Sequence, residues 1–232
     1  IYNTDNESNR YRIESYLAVK YGVSLNDGIG VNYVASDGST VFWNNISNSE
    51  YNNDIFGIGR DDISTLYQKQ SRSINTDAFF SVFHLTNESD PLPTTNQLNT
   101  STIPVDRSFL LFGNNNGDIT EWFHYIQQPS VIVSRLERIW KVQKTGTINN
   151  VTIVINTSDL PTNTGTLPLY LLVSNSSDMS NADYYPMTLD GSTWKIAYNF
   201  TTNTYISFGY GLITQPMRHG KSVINGELVP YK

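Results

Sequence analysis

The sequence has 232 residues, enough for one large β-rich domain or two small ones, and carries a net charge of −6 at pH 7. It contains no cysteine, which excludes disulfides, thiolate metal sites and cysteine nucleophiles. Its 15 Lys and Arg residues are scattered and form no basic stripe, so neither nucleic acid nor an anionic membrane surface is an expected partner. No apolar run approaches the ~18 residues of a membrane span, so we expect no membrane insertion.

The residues near the N-terminus predict one α-helix over residues 9–21. Apolar positions from Ile13 to Tyr21 recur at spacings of three and four, which is the period of a helix that buries one face. Gly22 follows the last of these positions, and glycine is the residue that most readily ends a helix. We expect the helix to dock on a sheet through Tyr16 and Tyr21.

After the helix, the sequence changes to short apolar or alternating runs between turn residues, which predicts strands. In the first half these runs lie at residues 31–35, 40–43, 55–58, 66–74, 79–85 and 109–112. Residues 36–38 (SDG) predict a hairpin turn between the first two runs. Residues 90–104 are rich in Pro, Thr and Asn and predict a long loop.

The second half contains further runs at residues 138–144, 151–155, 169–173, 194–198 and 204–208. Their nearly even spacing is typical of a sandwich of short strands. We therefore predict a mostly β fold with one N-terminal α-helix. Residues 1–130 form the helix and an irregular β-rich unit, and residues 131–232 form an immunoglobulin-like β-sandwich with a C-terminal tail. The junction near Pro129 is short, so the two units are expected to pack as one body within a longer protein.

An asparagine-rich turn after residues 109–112 is the best candidate for a metal site. Asn114, Asn116, Asp118 and Glu121 place oxygen atoms at short spacing around a glycine, and calcium binds about six to eight such oxygens. The turn lacks the first aspartate and the correctly spaced bidentate glutamate of an EF-hand. A structural Ca²⁺ ion is therefore one interpretation, and a turn stabilised by its own Asn and Asp side chains is the other.

Exposed aromatic side chains can form a platform on which sugar rings stack. Trp122, Tyr184 and Tyr185 are the candidates for such ligand binding because they lie in predicted loops. Trp43 and Trp140 alternate with polar neighbours inside predicted strands, so we expect them in the core.

The sequence contains no recognisable catalytic pattern. Glu121 and Glu137 lie beside tryptophans, but nothing in their spacing places the two carboxylates opposite each other, as glycoside hydrolysis requires. The three histidines lack the spacing of zinc ligands, and there is no G-x-S-x-G segment. We therefore predict no catalytic residue and no enzyme.

Several segments together resemble one family. They are residues 12–23 (RIESYLAVKYGV), 54–62 (DIFGIGRDD), 136–142 (LERIWKV) and 217–221 (MRHGK). These segments resemble those of a β-rich domain found in large secreted cell-surface proteins of Bacteroidota, and the resemblance covers nearly the whole chain.

The resemblance implies export through the type IX secretion system, an extracellular or cell-surface location, and an association with gliding motility and adhesion. It implies neighbouring domains of the same polypeptide, surface polysaccharide and outer-membrane secretion machinery as partners, and calcium as a structural ion. It implies no catalytic residues. The turn at residues 174–178 is more acidic in relatives than in this chain, which weakens the case for calcium at that turn.

The motif residues Arg60, Asp61 and Asp62 also have a structural interpretation, in which Arg60 forms an ion pair with one of the two aspartates. Gly57 and Gly59 are expected to permit a close approach of backbone. The leading expectation is a non-catalytic structural or adhesive module of an exported bacterial cell-surface protein. A carbohydrate-binding module that uses exposed aromatic residues is the alternative, and a glycan-active enzyme is the second alternative.

Overall fold

The computed structural model describes residues 6–25, 31–124, 132–162, 167–211, 221–224 and 227–230. These residues contain one α-helix, α1 (Glu7–Tyr21), and seventeen β-strands. The prediction of a mostly β fold with one N-terminal helix is confirmed within this part of the chain. The predicted junction at Pro129 and the start of the predicted tail, including residues 217–220, lie outside the described residues.

The strands are short and follow one another through the whole described chain. Those of the first half are β1 (Tyr33–Val34), β2 (Val41–Trp43), β3 (Asn53–Asp61), β4 (Leu66–Gln68), β5 (Gln70–Ser71), β6 (Ser81–Phe83) and β7 (Ser108–Asn114). Those of the second half are β8 (Ile132–Arg135), β9 (Trp140–Thr145), β10 (Val151–Asn156), β11 (Leu169–Ser174), β12 (Asp183–Pro186), β13 (Thr188–Asp190), β14 (Thr193–Tyr198), β15 (Thr204–Gly211), β16 (Lys221–Ile224) and β17 (Glu227–Pro230).

Most strands belong to two antiparallel sheets. The eight-stranded sheet has the order β12-β11-β15-β9-β7-β3-β4, and β8 also pairs with β15. The five-stranded sheet has the order β13-β14-β10-β6-β5. Two further antiparallel pairs, β1 with β2 and β16 with β17, complete the described structure. The first of these pairs is the hairpin that residues 36–38 predict.

The two large sheets pack face to face around the larger core, which makes the fold a β-sandwich. Aromatic side chains of the eight-stranded sheet meet Phe80, the residue before β6, in this core. The ring of Phe80 lies 5.3 Å from that of Phe112 and 5.4 Å from that of Trp140, measured between centroids. Trp140 is 2% exposed, as expected for a core residue. Burial of such large apolar surfaces is the main force that holds the two sheets together.

Each of the two large sheets contains strands from both predicted units. In the eight-stranded sheet, β7 pairs with β9 from Phe109↔Thr145 to Asn114↔Trp140. In the five-stranded sheet, β6 pairs with β10, with Val82 opposite Ile153. Residues 132–211 therefore provide strands to both layers of the sandwich, and strands from the first half widen each layer.

The other face of the eight-stranded sheet is covered by α1 and the β1–β2 hairpin. Along β7, Leu110 and Phe112 face the core between the sheets, whereas Phe109 and Leu111 face a second core under α1. Phe42 of β2 stacks on Phe109 at 4.0 Å between ring centroids. Because both faces are covered, β7 is buried along its whole length, which explains its continuous apolar run.

Helix α1 packs through small side chains. Ser15, Ala18 and Val19 are buried, and the Ser15 hydroxyl accepts a backbone N–H from β1 at 3.0 Å. Tyr16 is partly buried against this core, but Tyr21 has 58% of its surface exposed. The prediction that Tyr21 docks the helix is therefore wrong. The helix lies so close to the sheet that only the face with small side chains fits against it, and Tyr21 lies beside that face.

Gly22 ends α1 as predicted. Its φ is +64°, and the N–H of Val23 donates to the carbonyl of Ala18 at 3.1 Å, which is the long bond of a Schellman motif. A Cβ at Gly22 would overlap the carbonyl oxygen of Arg72. Glycine is thus required here both by the left-handed backbone and by the close contact with the chain after β5.

Candidate functional site

The predicted calcium turn begins with a buried asparagine at the end of β7. The side-chain amide of Asn114 donates to the carboxylate of Asp54 at 2.8 Å. Its side-chain oxygen accepts the N–H of Asn116, also at 2.8 Å. Asn116 itself is exposed and has a φ of +58°. The Asn114 side chain therefore joins the turn to β3 and stabilises it as an Asx turn.

The acidic residues of the same turn have separate roles. Asp118 accepts the N–H and the hydroxyl of Thr120 at 2.7 and 2.8 Å, and these bonds lower the pKa of Asp118. Glu137 accepts the backbone N–H of Asp118 at 3.0 Å, whereas Glu121 is exposed. Among the described residues, no group of three or more His, Asp or Glu side chains is placed to hold a metal ion. Asparagine and backbone oxygens also bind calcium, so a Ca²⁺ ion at this turn stays a prediction.

A buried polar cluster below this turn was not foreseen from the sequence. The guanidinium of Arg138, a residue only 5% exposed, forms an ion pair with the carboxylate of Asp77 at 2.8 Å and donates to the carbonyl of Gly117 at 2.7 Å. It also lies 3.4 Å from the carboxylate of Asp54, which accepts the side-chain amide of Asn75 as well. The cluster therefore ties together the start of β3, the loop before β6 and the turn after β7.

The motif residues Arg60, Asp61 and Asp62 make two separate contacts. Arg60 donates two hydrogen bonds to Asp62, at 2.7 and 2.9 Å, and this pairing lowers the pKa of Asp62. Asp61 is buried and accepts the backbone N–H and the hydroxyl of Ser36 at 2.7 and 2.6 Å. The ion pair is therefore formed with Asp62, and Asp61 fixes the β1–β2 hairpin to β3.

The three aromatic candidates are engaged in packing. Trp122 is half-buried and meets Tyr210 edge to face, with 5.0 Å between ring centroids. Tyr184 and Tyr185 lie in β12, so the prediction that they occupy a loop is wrong; the run DYYP has no alternation that would mark a strand. Neighbouring residues of a strand point to opposite faces. Tyr184 accordingly packs on the core under α1, and Tyr185 packs on the core between the sheets beside Tyr198.

His84 is a buried titratable residue that has no role in these clusters. It is 8% exposed, and its Nδ1 has no hydrogen-bond partner within the described residues. Burial lowers the pKa of His84 below the ordinary value of 6.5, because the charged imidazolium would lose its hydration. The folded protein therefore favours the neutral imidazole.

We expect the free energy of unfolding to decrease as the pH falls below about 6.5, because the unfolded chain then protonates His84 and the folded chain does not. His84→Gln removes this titration. The urea midpoint of the variant should therefore vary less between about pH 7 and pH 5 than that of the wild type. The matched control is Leu17→Ala, an exposed position with no titrating group, which should keep the wild-type pH dependence. An unchanged pH dependence in His84→Gln would contradict this assignment.

An open groove of about 400 Å³ lies at the C-terminal end of α1. It lies where the edges of the two large sheets meet. β4 is an edge strand of the eight-stranded sheet and β5 is an edge strand of the five-stranded sheet. Lys69 is the one residue between these two strands in the sequence. Tyr21 and Phe83 line it, together with the loop of residues 93–96. We call this opening, lined also by Gln68, the edge groove.

The amide side chains of the edge groove are held in place by backbone groups. Gln68 donates to the carbonyl of Gln70 at 2.7 Å, and Gln70 donates to a carbonyl of the facing loop at 3.0 Å. Asn96 donates to the carbonyl of Tyr67 at 2.7 Å and accepts the N–H of Lys69 at 2.6 Å. These bonds satisfy backbone groups along the two sheet edges and fix the polar lining of the groove.

The charged side chains that line the edge groove are Lys20 and Arg72, and its lining contains no Asp or Glu. Arg72 forms an ion pair with Asp159 at 3.0 Å. The ammonium of Lys20 donates to the hydroxyl of Tyr16 at 2.7 Å. In the described part of the chain, Lys20 forms no ion pair with a carboxylate. The groove therefore has a positive local charge on a protein whose net charge is negative.

The fold and these clusters define a β-sandwich domain in which charged motif residues fix the loops and an open polar groove lies at the sheet edges. A family model described as Domain of unknown function (DUF8202) matches residues 9–205. The match covers most of the chain, so the chain belongs to this family. No curated protein and no solved structure matches the chain. Within the described residues, no helix is both long enough and apolar enough to cross a membrane.

Proposed function

We propose that this domain is a non-catalytic structural and adhesive module of an exported bacterial cell-surface protein. The observation that carries the proposal is the edge groove, an open polar surface fixed on strands of both sheets and on the end of α1. A surface of this kind can bind a polymer without rearrangement of the backbone, which lowers the entropic cost of binding.

The structural part of the proposal is supported by the contacts of the motif residues. Arg60 holds Asp62, and Arg138 holds Asp77 and lies beside Asp54, so these charges connect strands and loops of the sandwich. Their role as fixing contacts agrees with a module that holds or presents its neighbours. The proposed partners are neighbouring domains of the same polypeptide, surface polysaccharide and the outer-membrane secretion machinery.

The cellular setting of the proposal follows from the resemblance of the sequence motifs to secreted surface proteins of Bacteroidota. It comprises export by the type IX secretion system, a location at the cell surface and a link to adhesion and gliding motility. A structural calcium ion at the turn from Asn114 to Glu121 belongs to the same proposal.

Retention of coated beads tests the adhesive part. Beads that carry the full 232-residue chain should be retained on polysaccharide-coated glass at least about tenfold more than on bare glass, because many copies on one bead amplify a weak interaction. Beads that carry a different β-sandwich protein of similar net charge serve as the control. Equal retention of the domain-coated beads on coated and bare glass would contradict the adhesive role.

A further inference from the structure

We infer that the edge groove binds a segment of acidic polysaccharide, with one sugar ring stacked on Tyr21 and a carboxylate of the glycan beside Lys20. The inference rests on the proposed adhesive function and names the chemical class of its ligand. Three properties of the groove carry it: an exposed aromatic ring, fixed polar groups with free hydrogen-bonding capacity, and positive charge.

The aromatic ring is that of Tyr21. More than half of its surface is exposed although it stands on a rigid helix, next to the cap at Gly22. An aromatic ring with a polar tip matches the mixed C–H and hydroxyl character of a sugar ring. Tyrosine also loses little conformational freedom on binding, because it has only two side-chain torsions. Phe83, half-buried in β6, adds a second apolar surface to the groove.

The polar groups that remain available are Gln68, Ser71 and Ser81. Gln68 uses its N–H to hold the Gln70 carbonyl, which fixes the side chain and leaves the Oε1 atom as an acceptor. The hydroxyls of Ser71 and Ser81 make no hydrogen bond with other described residues, and both residues are half-buried in the groove. Sugar hydroxyls both donate and accept, so they can pair with all three groups.

The charge of the groove favours an acidic glycan over a neutral one. Lys20 and Arg72 are not balanced by any carboxylate in the lining. Because Arg72 is already paired with Asp159, Lys20 is the cation that remains for a ligand. A hydrogen bond between an ammonium and a carboxylate is stronger than one between neutral groups. The volume of about 400 Å³ lies in the range of small-molecule sites, and the groove is open to solvent, so a polymer can extend beyond it.

The test is calorimetric titration of the full chain with two probes, oligogalacturonate as the acidic glycan and cello-oligosaccharide as the neutral one. We expect tighter binding of the acidic probe. Tyr21→Ala should weaken that binding at least about tenfold, whereas Tyr21→Phe should keep most of it. Lys20→Gln should weaken binding of the acidic probe about tenfold and leave the affinity for the neutral probe unchanged.

The matched control is Leu17→Ala, one turn earlier on α1, because Leu17 is also exposed but lies outside the edge groove. Its affinity should equal that of the wild type, and thermal melting verifies that every variant is folded. Absence of binding to both probes, equal affinity for both, or wild-type affinity in Tyr21→Ala would overturn the inference. If one of these results is obtained but the coated beads are still retained on polysaccharide, the adhesive function stands. Only the assignment of an acidic glycan to the edge groove is then wrong.

Discussion

Replacement of Arg138 by alanine is expected to lower the free energy of unfolding by about 3–5 kcal/mol. Arg138 is almost fully buried, and its loss leaves the carboxylate of Asp54, itself 8% exposed, without the nearby positive charge. It also removes the donor to the Gly117 carbonyl and the partner of Asp77. The cost is large because the Asp54 carboxylate has lost its hydration on burial, and the neutral amides of Asn114 and Asn75 do not replace a counter-charge.

Urea denaturation at neutral pH measures this effect, and Arg10→Ala is the matched control. Arg10 lies on the exposed side of α1, 3.9 Å from Glu7 and 3.8 Å from Glu14. Solvent screens such pairs, so we expect a change of at most about 0.5 kcal/mol. A loss of less than about 1 kcal/mol for Arg138→Ala would show that the buried cluster does not stabilise the fold.

Gly57→Ala is expected to destabilise the protein by at least about 3 kcal/mol or to prevent folding. Gly57 lies in the middle of β3, where β3 is paired with β7. A Cβ at this position would overlap the carbonyl oxygen of Leu110 and would lie 2.8 Å from the Cα of Leu111. These are backbone atoms of a strand that is buried along its whole length, so they cannot move aside as a flexible side chain can.

Gly191→Ala separates this steric effect from the general cost of replacing a glycine. Gly191 has a φ of +60°, but a Cβ there would meet no atom within 4 Å. Its replacement should cost only about 1 kcal/mol, from backbone strain alone. Thermal or urea unfolding of the two variants gives the comparison. Equal losses of stability would show that close packing of β3 on β7 is not the reason for glycine at position 57.

The elements that could be predicted from the sequence have a regular local pattern. The helix α1 and its end at Gly22 follow from periodicity and from one residue type. The buried strands β7 and β11 are continuous apolar runs, and β9 contains an alternating one. In β7 and β11 the local preference agrees with the burial that the fold imposes. On α1 the period is that of a helix, but the periodic apolar residues Ile13, Leu17 and Tyr21 are exposed and the small residues between them are buried.

The strands that were not predicted lack such a pattern. β13 is exposed along its whole length at the edge of the five-stranded sheet. β12 is an edge strand that ends in Pro186, and β8 is a short strand that pairs with β15 alone within its sheet. These segments are strands because their backbone forms hydrogen bonds with a neighbouring strand. That pairing cannot be inferred from the alternation of apolar and polar residues.

The polar clusters required contacts between residues that are distant in the sequence. Arg138 reaches Asp54 and Asp77, and spacing alone gives no sign of this meeting. The edge groove likewise combines the end of α1, two edge strands and the loop of residues 93–96. The sequence did contain one signal for this groove. Ser15, Ala18 and Val19 lie on one face of the helix, and Tyr21 lies outside that face. If the face with the small residues is taken as the one that packs on the sheet, Tyr21 is predicted to be exposed.

Attachment of bacteria to a polysaccharide surface tests the central claim, that the domain is an adhesive surface module that acts through the edge groove. Three strains are compared: one with the intact protein, one that lacks this domain and one with Tyr21→Ala. Antibody labelling of intact cells verifies that each protein reaches the surface in equal amount. The account predicts that loss of the domain and Tyr21→Ala both reduce attachment severalfold. Wild-type attachment by cells that lack the domain would contradict it.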